Sequence, residues 1–293
     1  MTDIVKSETN YPRLKQILDE FEKTFDYAKR IEWDPVQFPR MFSTGDDIET
    51  AGLIASSLAY GSVKIIISVL KKIFTATGTS PSEFVKSENP EDYKVLNGLY
   101  HRFNNSDDIK TLLWSAGRIR KEYGSLEQLF LEGYTEKGIS EDEKFRNGLE
   151  RFSTVFIDKA KNSPFGDRRA FDYFFPRPSG GSPCKRLCLY TRWMVRNEPV
   201  DMGIWKSVSP SHLVIPVDVH IARIGRYLGF TETKNANWKM AQEISRSLRK
   251  MDNEDPLRYD FVLCHLGISG ECPGKFDSEK CMECFLKNSC IRV

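Results

Sequence analysis

The chain is 293 residues long, with 40% hydrophobic and 29% charged residues and a formal net charge of +2. That length and balance give room for one large domain or two small ones, and exclude disordered, collagenous and low-complexity chains. The most apolar stretch, Gly52 to Leu70, is interrupted by Tyr60-Gly61-Ser62 and Lys64, and the first residues carry no apolar export core. No membrane span is therefore predicted, and a soluble protein of a reducing, cytoplasmic compartment is expected.

In chain order, Leu14, Ile17, Leu18, Phe21 and Phe25 recur at three- and four-residue intervals and predict an amphipathic helix over 12–30. Asp46 and Asp47 are candidate N-caps for a helix running to about Ala59. An apolar helix follows from Val63 to Phe74, ended by Gly78-Thr79-Ser80-Pro81. Further helices are predicted over 91–103, 107–122, 125–131 and 141–160. From Pro164 to Pro183 the chain changes character, with prolines and glycines around Phe171, Tyr173, Phe174 and Phe175. This segment reads as a short helix and a tight turn opening a helix at about Cys184. Its aromatic residues are read as core, with base stacking the alternative. Helices over 184–196, 218–228, 237–250 and 257–267 complete the chain. No alternating β-branched run with hairpin turns and no internal repeat emerges, so the predicted fold class is all-α.

Charge and cysteine usage point to chemistry. Between Arg177 and Lys250 there are 13 basic and 5 acidic residues, enough for a phosphate-binding face. The alternative for this stretch is a solvated helical surface. Of seven cysteines, four crowd the polar tail as Cys272, Cys281, Cys284 and Cys290. A tail that cannot bury much apolar surface is expected to fold around a metal, and four thiolates suit either zinc or a [4Fe-4S] cluster. Cys264 lies in an apolar helix and reads as a buried thiol. Cys184 and Cys188 read as partly buried neighbours on one helix face.

Two short stretches carry the remaining signal. In Ile215-Pro216-Val217-Asp218-Val219-His220-Ile221, the proline sets a turn and Asp218 starts an amphipathic helix. There it can act as a cap or, favoured by the helix dipole, as a carboxylate that stabilises a developing cation. His220 reads as its structural support. Upstream, Ser179-Gly180-Gly181-Ser182-Pro183-Cys184-Lys185-Arg186 is a glycine turn whose amides can hold a phosphate oxygen. Lys185 is a candidate amine nucleophile beside Arg186.

Together, a glycine turn with a lysine, a Pro-Val-Asp-x-His helix start and a four-cysteine tail resemble the helix–hairpin–helix DNA glycosylases of the endonuclease III and oxoguanine glycosylase branches. The overall character is closest to an uncharacterised bacterial family related to them. The resemblance is specific over about 177–293 and rests on helical content and length before that. It implies two helical subdomains flanking a cleft. One would comprise 1–45 plus 214–293 with the cysteine loop at 272–290; the other, 46–213, would carry the hairpin-like turn at 177–186. It implies Lys185 as Schiff-base nucleophile and Asp218 as the carboxylate that stabilises the sugar cation. Gly180, Gly181, Ser182 and Arg186 become nucleic-acid contacts. Cys272, Cys281, Cys284 and Cys290 would hold a [4Fe-4S] cluster, with zinc the alternative. The implied activity is a glycosylase and abasic-site lyase acting as a nucleoid-associated monomer on damaged double-stranded DNA. The alternatives are an N-glycosidase for a modified nucleoside or RNA, and a non-catalytic DNA-binding module.

Overall fold

The computed structural model describes residues 9–166, 170–197 and 199–291. The described chain is helical: α1 (Tyr11–Thr24), α2 (Tyr27–Ile31), α3 (Gly45–Ser57), α4 (Val63–Thr77), α5 (Pro81–Phe84), α6 (Ser106–Tyr123), α7 (Leu126–Tyr134), α8 (Glu141–Lys161), α9 (Lys185–Val195), α10 (Val219–Tyr227), α11 (Trp238–Arg249), α12 (Asp260–Ile268) and α13 (Ser278–Glu283). Among the described residues, two-residue strands β1 (Tyr100–His101) and β2 (Asn104–Asn105) pair antiparallel and form the only sheet. No described helix is long and apolar enough to cross a membrane.

The chain forms two compact units. The first gathers the residues up to Asp26, Gly181–Lys185 and the chain from Leu213 onward; the second holds Tyr27–Gly180 and Arg186–His212. The sequence placed the first boundary at residue 45 and left the whole glycine turn with the central unit. The structure moves that boundary to Asp26 and gives Gly181–Lys185 to the first unit.

The single helix predicted over 12–30 is two. Phe25 leaves α1 in an extended conformation, and its ring packs edge-on against Phe261 at 6.1 Å. This tertiary anchor overrides a local pattern that would have carried the helix on. Asp46 and Asp47 lie inside α3 rather than capping it; Thr44 is the cap, accepting the Asp47 N–H at 3.2 Å. Burial would raise the Asp47 carboxyl, but the Ser80 and Thr44 hydroxyls and the Ser82 N–H hold it at about 2. The helix predicted over 91–103 is instead a 3₁₀ turn, Pro90–Leu96, followed by the small hairpin. Tyr93 and Leu96 are buried three residues apart, a spacing that both helix types satisfy.

The second unit has a polar keystone that its sequence does not announce. Glu49, on α3, is 3% exposed and its carboxylate gathers four donors. These are the backbone N–H of Leu126 and of Glu127 at 3.0 Å, the Trp205 indole at 2.9 Å and the Arg120 guanidinium. Burial pushes this carboxyl up, and the four donors pull it back. A second buried group joins Arg192 and Arg196 to Asp201, which has no exposed surface. Part of the basic excess in the sequence is therefore interior pairing.

Candidate active site and cysteine pocket

The first unit assembles Asp218, His220, Lys185 and Cys264. Buried Ile215, Pro216 and Val217 lead into α10, and the Ile215 N–H donates to Ser245 Oγ on α11 at 2.9 Å. This anchored, proline-stiffened lead fixes where the helix begins. Asp218 is its N-cap: Oδ1 accepts the N–H groups of His220 and Ile221, each at 2.8 Å. Oδ2 receives the Cys264 thiol at 3.5 Å. Cys264 is half-buried beside the carboxylate, a correction to its reading as a core thiol.

Helix α12 can approach α10 because Gly267 has no side chain. A Cβ there would stand 2.6 Å from His220 Cβ and 2.7 Å from its Nδ1. His220 Nδ1 is buried and makes no hydrogen bond among the described residues. Burial lowers the His220 pKa from its ordinary value; nearby Arg223, Lys185 and His265 add to that, and Asp218 opposes it. Gly267→Ala is expected to destabilise the protein by about 1–3 kcal/mol, because neither backbone nor ring can yield cheaply. A urea midpoint equal to wild type would show that the contact can relax.

Lys185 is half-buried and is the first residue of α9. The turn before it is tight: Gly181 has φ +78° and Cys184, a non-glycine residue, has φ +48°. The Cys184 N–H donates to Ser182 Oγ at 3.2 Å, and the Trp238 N–H donates to the Gly181 carbonyl at 3.1 Å. Gly180 and Gly181 are exposed and Ser182 is half-buried. The Gly180 N–H is already committed to the Arg177 carbonyl at 3.1 Å. The Ser179 amide and hydroxyl both donate to the Glu150 carboxylate. These two amides are therefore occupied by protein acceptors, contrary to a simple phosphate grip.

Arg186 departs furthest from expectation. It is 7% exposed, in the second unit, and donates to the carbonyls of Ser57 and Tyr173. A guanidinium so enclosed serves the interior, which removes it from a phosphate-contacting surface. The basic residues that do lie on the surface are Arg177 and Lys206 in the second unit, and Lys234, Lys239, Arg246 and Lys250 in the first. In the aromatic segment, Phe171, Phe174 and Phe175 are core, whereas Tyr173 is 44% exposed. Cys184 and Cys188 are buried.

The four tail cysteines line one pocket, closed by Ile224 and Tyr227 of α10 together with Leu228, Leu266, Phe276 and Leu286. The cavity is small, about 40 Å³, and partly open to solvent. Burial pushes the Cys272 and Cys284 thiols up, and the neighbouring thiols add to the effect. Arg223 opposes the upward shift of Cys272 and donates to its carbonyl at 2.8 Å, and the Asp277 N–H donates to Cys281 Sγ at 3.4 Å. Four thiols are a donor set that a sulfur-ligated metal group would accept. Among the described residues, however, no three cysteine, histidine or carboxylate groups stand close enough to hold a single metal ion.

No curated protein and no solved structure matches the chain. The profile of one family, described as Protein of unknown function (DUF2400), matches residues 34–269, a segment that includes Lys185 and Asp218 and ends before Cys272. The chain belongs to that DUF2400 family.

Proposed function

We propose that the protein is a DNA-repair glycosylase with abasic-site lyase activity. The observation that carries this reading is the Asp218 carboxylate fixed at the start of α10, its Oδ1 accepting the His220 and Ile221 N–H groups at 2.8 Å, in the unit that also holds half-buried Lys185. Base flipping would present the damaged nucleotide's C1′ to this site. The neutral Lys185 amine forms a bond to C1′ as the glycosidic bond breaks, and the base departs with that electron pair. The nitrogen loses its proton, ring opening gives the Schiff base, and loss of a C2′ proton with departure of the 3′ phosphate cleaves the strand. Asp218 stabilises the cationic sugar in the transition state, as carboxylates do in glycoside hydrolysis. Exposed Lys234, Lys239, Arg246 and Lys250 supply the salt-dependent grip on phosphate.

Cys272, Cys281, Cys284 and Cys290 would hold the metal group, with a structural role for the tail. Four thiols that do not gather around a single point favour a [4Fe-4S] cluster over one zinc ion, whose four sulfurs must lie about 2.3 Å from that point. Anaerobically purified protein is expected to carry iron and sulfide with a visible charge-transfer band, lost in Cys284→Ala. Stoichiometric zinc would contradict the cluster.

The reading is tested by incubating the protein with an abasic-site duplex. Strand cleavage that disappears in Lys185→Ala supports it. The committed cap geometry of Asp218 favours a second reading, a non-catalytic DNA-binding module. Salt-dependent binding with no cleavage would select that one. Hydrolysis of a free modified nucleoside without DNA affinity would indicate an N-glycosidase instead.

A further inference from the structure

The second unit carries an exposed aromatic group that the lysine chemistry does not use. The β1–β2 hairpin turns through Arg102 and Phe103, with Arg102 in the left-handed region at φ +54°. Phe103 is 56% exposed, Tyr100 64% and Tyr173 44%. The Phe103 ring lies parallel to Tyr60 at 6.1 Å and edge-on to Tyr173 at 5.4 Å. This is a built surface. The Tyr60 hydroxyl lies 2.9 Å from the His101 carbonyl and 2.5 Å from Asn104 Oδ1, and the buried Asn104 donates to the Ala170 carbonyl at 2.9 Å. The hairpin is thereby pinned while its rings face solvent.

Cations interleave with the rings. The Arg102 guanidinium lies 5.3 Å from the Phe103 ring. Arg186 sits beneath, 3.9 Å from the Tyr173 ring and 4.9 Å from that of Tyr60. Helix α4, which packs on β1, exposes Lys64, Lys71 and Lys72. The acidic groups nearby are exposed Asp172, Asp107 paired with Lys110, and buried Asp108 bonded to the Asn105 N–H. Flat π-faces set among exposed cations match alternating bases and phosphates, because every base offers a face to stack and every linkage a charge.

We propose that Phe103, Tyr173 and Tyr60, flanked by Arg102, form a stacking site for unpaired bases of single-stranded nucleic acid. This goes beyond the lyase reading and does not depend on Lys185. The test is fluorescence anisotropy with a short labelled oligothymidylate across a salt series. Phe103→Ala is expected to weaken binding about 10-fold or more with little change in salt slope, since stacking carries no counterion release. Phe103→Trp is expected to restore it, and Arg102→Ala to reduce the salt slope by about one phosphate contact. Both Phe103 and Arg102 are exposed at a hairpin tip, so unchanged thermal unfolding in these variants is the control for folding. Equal affinity of wild type and Phe103→Ala, or equal loss with Phe103→Trp and Phe103→Ala, would overturn the proposal. So would binding of duplex but not single strands. Abasic-site cleavage by Phe103→Ala at the wild-type rate on duplex would separate this site from the lysine chemistry.

Discussion

Asp218→Asn is expected to lower base excision about 10²–10³-fold while leaving stability within about 0.5 kcal/mol of wild type. The substitution separates the two roles that one side chain holds. Asparagine ranks with aspartate as an N-cap, so its carbonyl oxygen can accept the same His220 and Ile221 N–H groups that Oδ1 takes at 2.8 Å. What it lacks is the negative charge that lowers the energy of a cationic sugar. Single-turnover excision kinetics with a thermal melt read both effects from one preparation. Full activity in Asp218→Asn would reduce the residue to a cap and remove the proposed mechanism. Asp218→Ala is less informative, because it loses the cap and the charge together.

The largest expected stability effect lies away from that site. Glu49→Ala is expected to destabilise the second unit by about 3–5 kcal/mol, a large share of the 5–15 kcal/mol typical of a folded domain. The loss arises because Arg120, the Trp205 indole and two backbone N–H groups are left in the interior without their acceptor. Glu49→Gln keeps one carbonyl oxygen and is expected to lose less. Urea unfolding followed by far-ultraviolet circular dichroism measures both. A shift below about 1 kcal/mol for Glu49→Ala would show that water or a rearranged Arg120 replaces the carboxylate.

The helical fold and the Asp218 helix start are legible because their causes are local. Amphipathic spacing, a proline lead and a capping residue all act within a few positions, and α10 begins one residue after Asp218 as its sequence predicts. What is illegible comes from distant contacts. Cys264 meets Asp218 from 46 residues away, and no pattern around either residue announces the pair. Gly267 looks like an ordinary small residue in an apolar helix until His220 is seen against it. Glu49 lies in a helix whose other residues give no sign of its role, and its partners come from three later segments. The basic excess is legible as a count but not as a surface, since Arg186, Arg192 and Arg196 turn inward. The hairpin at Arg102 is missed because it is two residues per strand, shorter than any alternation can register.

Borohydride reduction on a duplex carrying an abasic site traps Lys185 if it is an amine nucleophile. A covalent protein–DNA adduct is expected, absent in Lys185→Ala and mapped by peptide mass to Lys185. No adduct from the wild-type protein, or an undiminished adduct from Lys185→Ala, would contradict that role.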